Sequence, residues 1–365
     1  MGKFTEEEII KIIKEWAQKK AKQGEIEYDN SFCGGLIVRY KTFPMTSLIP
    51  NNPDGKKSGF HRTDHYAYEI ECRKTMLNLR LAFSYTNISD KTKQICDELL
   101  DKFKMMPKHD IPHSDNFQRL CIFSDVNIKE CKEEKEIWEA MNKLFYQMKG
   151  YETFIIYKMQ ESDQSVQKEY KKPLKNNTPT KEDYTRYKED LQEKAKSDKK
   201  CWVCGELEFL REFKVEGDYN TVLQQVKRLN SLYKTRLSND ECKKLADFIY
   251  YSDIFHSRIL TNDRDVAASL VMELAAKEIS GRSNLSFASK YCHHCNPNMY
   301  PIFDSVNEQY LKDHYSYKGK RDYRKYIDVY ALFCQDIGVN LSIAEDKEEG
   351  FWVDKFINQI DKNAK

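Results

Sequence analysis

The sequence predicts an α+β protein in three parts: an N-terminal α+β domain over residues 1–160 with a mixed, mostly antiparallel sheet, a charged linker over 161–204, and an all-α domain over 205–365. Three observations carry this reading. Short runs rich in β-branched and aromatic residues crowd the first part, aliphatics almost vanish from 160 to 200, and apolar residues then recur at three- and four-residue spacing.

The elements follow in order. "FTEEEIIKIIKEWAQKKAKQGE" opens on Thr5 as an N-cap with an acidic first turn, lines up Ile9, Ile12, Ile13 and Trp16, and stops at Gly24. "LIVRYKTF", "YAYEIECR" and "MLNLRLAFSY" read as strands. After them come a helical "DKTKQICDELLDKF", a strand "RLCIFSDV", a helix "EEKEIWEAMNKLFYQM" and a last strand "TFIIYKM". Residues 160–200 carry dense charge of both signs and cannot bury a core, so they read as a linker with at most one solvated helix. Six amphipathic segments follow, from "YNTVLQQVKRLNSLYKTR" to "EEGFWVDKFINQI", with Gly338 at a helix C-cap position.

Composition narrows the function classes. A chain of 365 residues with 40% hydrophobic and 32% charged residues is expected to be globular and soluble, with neither a membrane span nor a signal peptide, and so cytoplasmic. Its 60 basic and 58 acidic residues give a formal charge of +2, so any nucleic-acid surface has to be a local patch. Eleven scattered cysteines favour reduced thiols over a disulfide framework.

Four stretches bear on chemistry. Cys201-Trp-Val-Cys204 and Cys292-His-His-Cys295 have the pairwise spacing of a structural zinc site, but the long gap between the pairs leaves free thiols as the stronger reading. "YEIECRK" lacks the lysine two residues after a glutamate that a metal-dependent nuclease strand carries, and an alternating strand explains it. "KKSGFHRTDHYAY" combines His61, Arg62 and His65 with aromatic rings, which suits either DNA contact or an ordinary exposed loop. In "SFASKYCHHCNPNMYPIFDS", residues 286–305, an apolar extended segment precedes Asp304, and Ser305-Val-Asn-Glu308 has the spacing of a capping box. Residue physics alone makes Asp304 a helix cap.

The order of "ISGRSNLSFASKYCHHCNPNMYPIFDSVNEQYL" resembles the helix-hairpin-helix DNA glycosylase superfamily, and the larger layout resembles bacterial anti-phage glycosylases that remove glucosylated hydroxymethylcytosine from phage DNA. The resemblance implies a helix-hairpin-helix domain, double-stranded DNA as the partner with no membrane or obligate protein partner, no cofactor, and Asp304 as the catalytic carboxylate. Bifunctional members carry a lysine eighteen residues before that aspartate. Ser286 stands there, which implies a monofunctional enzyme that leaves abasic sites. The hairpin departs from the usual Leu-Pro-Gly-x-Gly, keeping only Gly281.

A carboxylate at position 304 suits the reaction, because positive charge builds on the sugar as the base leaves. The flipped base needs a pocket, for which Ser286, Tyr250, Tyr251, Phe255, His256, Tyr300 and Phe303 are the candidates. Gly281, Arg282 and Lys290 are candidates for DNA contact, with Arg258 a further one. Two other function classes stay open: a DNA-binding protein without catalysis, and a zinc-stabilised defence or toxin protein whose activity lies in the N-terminal domain.

Overall fold

The computed structural model describes residues 4–28, 36–42, 66–73, 75–84, 90–91, 94–95, 98, 119–161, 179–197, 202–315, 317 and 321–363. The chain forms two compact units, Met1–Ser165 with Tyr251–Ile254, and Val166–Tyr250 with Phe255–Lys365. Among the described residues it is mostly helical, with a four-stranded antiparallel sheet near its N-terminus.

In the first unit, α1 (Glu6–Lys22) begins with a full capping box: Thr5 accepts from the Glu8 amide, and the Glu8 carboxylate accepts from the Thr5 amide. The strands β1 (Ile37–Tyr40), β2 (Tyr66–Arg73), β3 (Met76–Ser84) and β4 (Arg119–Asn127) pair in sequence order. The β2–β3 register runs from Tyr66 opposite Phe83 to Arg73 opposite Met76. Period-two alternation turns Val38, Tyr40, Tyr68, Ile70, Cys72, Leu77, Leu79 and Leu81 inward, where α1 and α2 (Glu134–Glu161) pack. Trp16 sits between them, its indole N–H donating to Asn142 at 3.0 Å and its ring edge-on to Phe145. On the other face Glu69 is shared by Arg39 at 2.8 Å and Arg80 at 2.7 Å, so a cross-strand ion triplet accounts for the "YEIECRK" carboxylate.

One expectation fails here. "TFIIYKM" is not a strand; α2 runs through it to Glu161. A short, unbroken apolar run suits a buried helix as well as a strand, and Tyr151, Phe154 and Ile155 extend the buried face that Leu144 and Met148 begin.

Among the described residues the second unit contains helices and no strand. Its helices are α3 (Lys181–Ser197), α4 (Trp202–Glu212), α5 (Tyr219–Tyr233), α6 (Asn239–Tyr251), α7 (Asp253–His256, divided between the two units after Ile254), α8 (Arg264–Leu274), α9 (Lys277–Ser280), α10 (Leu285–Cys295), α11 (Ser305–Tyr315), α12 (Tyr323–Asp336) and α13 (Glu349–Asn363). Helix α8 packs on α10 and α12, α11 on α12 and α13, and α10 on α5. Gly338 has φ 68°, the left-handed value expected just past a helix end.

The linker expectation needs revision too. Helix α3 lies inside it and is no solvated spacer, because Tyr184 and Leu191 are buried and α3 packs on α13. The Tyr184 hydroxyl donates to Glu349 at 2.5 Å, and Lys188 pairs with Asp346 and Glu349.

Candidate active site

The stretch expected to form the hairpin folds as α9, a turn and α10. Gly281 takes φ 91°, and its amide donates to the Lys277 carbonyl at 2.7 Å, so this one glycine supplies the left-handed turn. Side chains close the loop after it: Asn284 donates to Ser280 Oγ and to the Arg282 carbonyl, and its own amide donates to Ala275. Arg282 donates to Glu241 at 2.5 Å and to the Arg236 carbonyl at 2.6 Å, so its guanidinium already has partners within the chain.

After a turn that follows α10, residues 299–303 are buried outside any helix or strand, which obliges their backbone to find partners. Side chains from four helices provide them. Tyr323 and Tyr326 each donate at 2.6 Å, to the Pro301 and Ile302 carbonyls. The Ile302 amide donates to Asp354 at 3.2 Å, and the Phe303 amide to Ser289 Oγ at 3.0 Å. His293 Nδ1 donates to the Tyr300 carbonyl at 2.8 Å and lies 3.2 Å from Asp354. Asn307 bridges the Ile302 carbonyl and Asp354. At the other end, the Gly350 amide donates to Asn298 at 2.8 Å; a Cβ on Gly350 would collide with the Pro297 carbonyl oxygen, so α13 can seat against this loop only through glycine.

Asp304 follows this segment at the N-terminus of α11. Its Oδ1 accepts from the Val306 amide at 3.0 Å and the Asn307 amide at 2.9 Å, so Asp304 is a helix cap. Its Oδ2 makes no hydrogen bond among the described residues, and the side chain is half-buried. One oxygen is held and the other is unengaged.

Lys290 lies beside it. The expectation of phosphate contact at this position is corrected by burial: the ammonium donates to Ser286 Oγ at 2.7 Å and sits 5.2 Å from the centre of the Tyr233 ring. Burial lowers the Lys290 pKa from its ordinary value, overcoming the opposing pull of the Asp304 carboxylate. Tyr233 turns its hydroxyl to His294 Nε2 at 3.1 Å and Glu206 at 3.4 Å, and Glu206 is ion-paired with Lys355. Burial keeps both histidines neutral: His293 falls to about 3, and His294 well below the usual imidazole range. Neither ring is exposed to meet a phosphate.

The remaining candidates divide. Tyr300, Phe303 and Phe255 are core residues. Tyr250 packs edge-on against Tyr219, Tyr251 falls in the first unit stacked on Tyr146, and His256 is half-buried beside Phe255. Ser286 is brought to the site. Arg258 is buried in a two-pronged pair with Glu273 at 2.8 and 3.0 Å, which removes it from any DNA surface. His61, Arg62, His65 and Cys201 lie outside the described residues. Cys204, Cys292 and Cys295 are free thiols, burial raises those of Cys292 and Cys295, and among the described residues no three metal-ligating side chains converge. Sequence reasoning missed Glu206, Tyr233 and Lys355, which stand far from Asp304 along the chain and carry no motif.

The family model HI_0787_N, an N-terminal domain, is similar to residues 155–299, a segment that includes Ser286 and Lys290 and ends before Asp304. No curated protein and no solved structure matches the chain. Among the described residues no helix is long and apolar enough to cross a membrane.

Proposed function

We propose that this chain is a DNA glycosylase whose helical unit excises a modified base from duplex DNA, glucosylated hydroxymethylcytosine of phage DNA being the leading substrate and anti-phage defence the role. The observation that carries the proposal is the buried, side-chain-bonded segment that ends in Asp304, with Oδ1 engaged by helix amides and Oδ2 unengaged. Held by the capping amides, a carboxylate in this position is oriented to stabilise positive charge on the sugar or to direct water toward C1′. The helix-hairpin-helix resemblance supplies the substrate class. No metal or redox step is required.

A second reading adds a lyase step, and Lys290 favours it. Its amine lies one helical turn beyond the position where bifunctional members carry lysine, and it reaches back to Ser286. A neutral amine there could bond C1′ of the ring-opened abasic aldehyde; the carbonyl oxygen leaves as water with both amine hydrogens, giving an imine.

The test incubates purified protein with duplexes containing either glucosylated hydroxymethylcytosine or unmodified cytosine. Strand breaks in the modified duplex that appear only after alkali support excision alone. Breaks without alkali support the lyase reading, and intact DNA in every arm excludes both.

A further inference from the structure

We infer that Tyr233, Glu206 and Lys355, from three helices, are positioning residues that hold the buried Lys290 amine against Ser286. Their role in DNA chemistry rests on the function proposed above; the positioning rests on geometry alone. Lys290 and Lys355 are both buried, and both approach the Tyr233 ring, their ammonium nitrogens 5.2 and 6.0 Å from its centre. Two like charges at one ring are tolerable only with compensation, and Glu206 provides it by pairing with Lys355 and meeting the Tyr233 hydroxyl. His294 fixes the ring from the other side of that hydroxyl at 3.1 Å.

The groups facing Lys290 are Glu206 from α4, Tyr233 from α5, Ser286 and His293 from α10, Asp304 before α11, and Asp354 and Lys355 from α13. Two of these charges act on Lys290 in opposite directions. Lys355 repels the ammonium, whereas Glu206 attracts it and also neutralises Lys355. A charge that faces the amine shifts its proton equilibrium with a definite sign, and a charge that does not face it leaves the midpoint where it was.

The experiment is competitive acetylation of the full chain across pH, read by mass spectrometry on the peptide containing Lys290. The pH midpoint is followed in wild type, Lys355→Met, Glu206→Gln, Tyr233→Phe and Tyr233→Leu. Lys355→Met is expected to raise the midpoint and Glu206→Gln to lower it, each by about one pH unit. Tyr233→Phe should keep the wild-type value, and Tyr233→Leu should lower it as the ring is lost. Shifts of the same sign in Lys355→Met and Glu206→Gln, or none, would overturn the inference. If either variant unfolds, the Tyr233 pair decides: equal midpoints in Phe and Leu count against it. The assay contains no DNA, so failure of the glycosylase reading is seen separately, as the absence of free base released from the modified duplex by wild type; absence of a cyanoborohydride-trapped adduct with an abasic duplex counts against the lyase reading alone.

Discussion

Asp304 is asked to do two things at once, and its two oxygens separate them. Asn at this position keeps an oxygen for the Val306 and Asn307 amides and loses the charge, so Asp304→Asn should hold its stability within about 1 kcal/mol of wild type, measured by urea unfolding, while base release falls roughly 100-fold. A joint loss of stability and activity would reduce Asp304 to a cap. Buried His293 makes a second prediction. Its pKa of about 3 in the folded chain lies below the ordinary imidazole value, so its contribution to stability is complete above about pH 6.5 and is lost as the pH falls toward 3. Urea midpoints measured from pH 7 to 4 should decline, and His293→Gln should flatten that decline. At this scale the sequence was half legible. Asp304 could be found because an apolar segment, an aspartate and a helix start are local signals. The burial of Lys290 could not, because Glu206, Tyr233 and Lys355, which surround its amine, come from distant helices.

At the scale of elements, strands β2, β3 and β4 could be read from alternation because one face of the sheet is packed by helices and the other is polar. Helix α3 escaped because its anchors are few. Tyr184, Tyr187 and Leu191 recur at three- and four-residue spacing, yet the surrounding charge hid that stripe. If α3 is a packed element, Leu191→Ala should destabilise the chain by about 2 kcal/mol or more, measured by denaturant unfolding; a solvated linker would give a change within about 0.5 kcal/mol. Helix α13 is the other decisive element, since it carries Asp354 and Lys355 and seats through Gly350. Gly350→Ala should cost at least about 2 kcal/mol, because the added methyl meets the Pro297 carbonyl and the loop that leads to Asp304 must give way.

At the scale of the molecule, two units stand on separate cores: a sheet packed by α1 and α2, and a helical unit that holds every side chain gathered around Asp304. The family similarity over residues 155–299 covers α9 and α10, whereas residues 300–303, Asp304 and α13 lie beyond it. The proposal that base excision belongs to this chain therefore depends on Asp304 itself. The most direct measurement is the release of free base from phage-type modified duplex by purified full-length protein, read by mass spectrometry in the presence of excess chelator. Wild type should release the modified base and leave unmodified DNA intact, and Asp304→Asn should bind the same duplex with little loss of affinity yet release almost nothing. Equal release by both proteins, or none by wild type, would contradict the account.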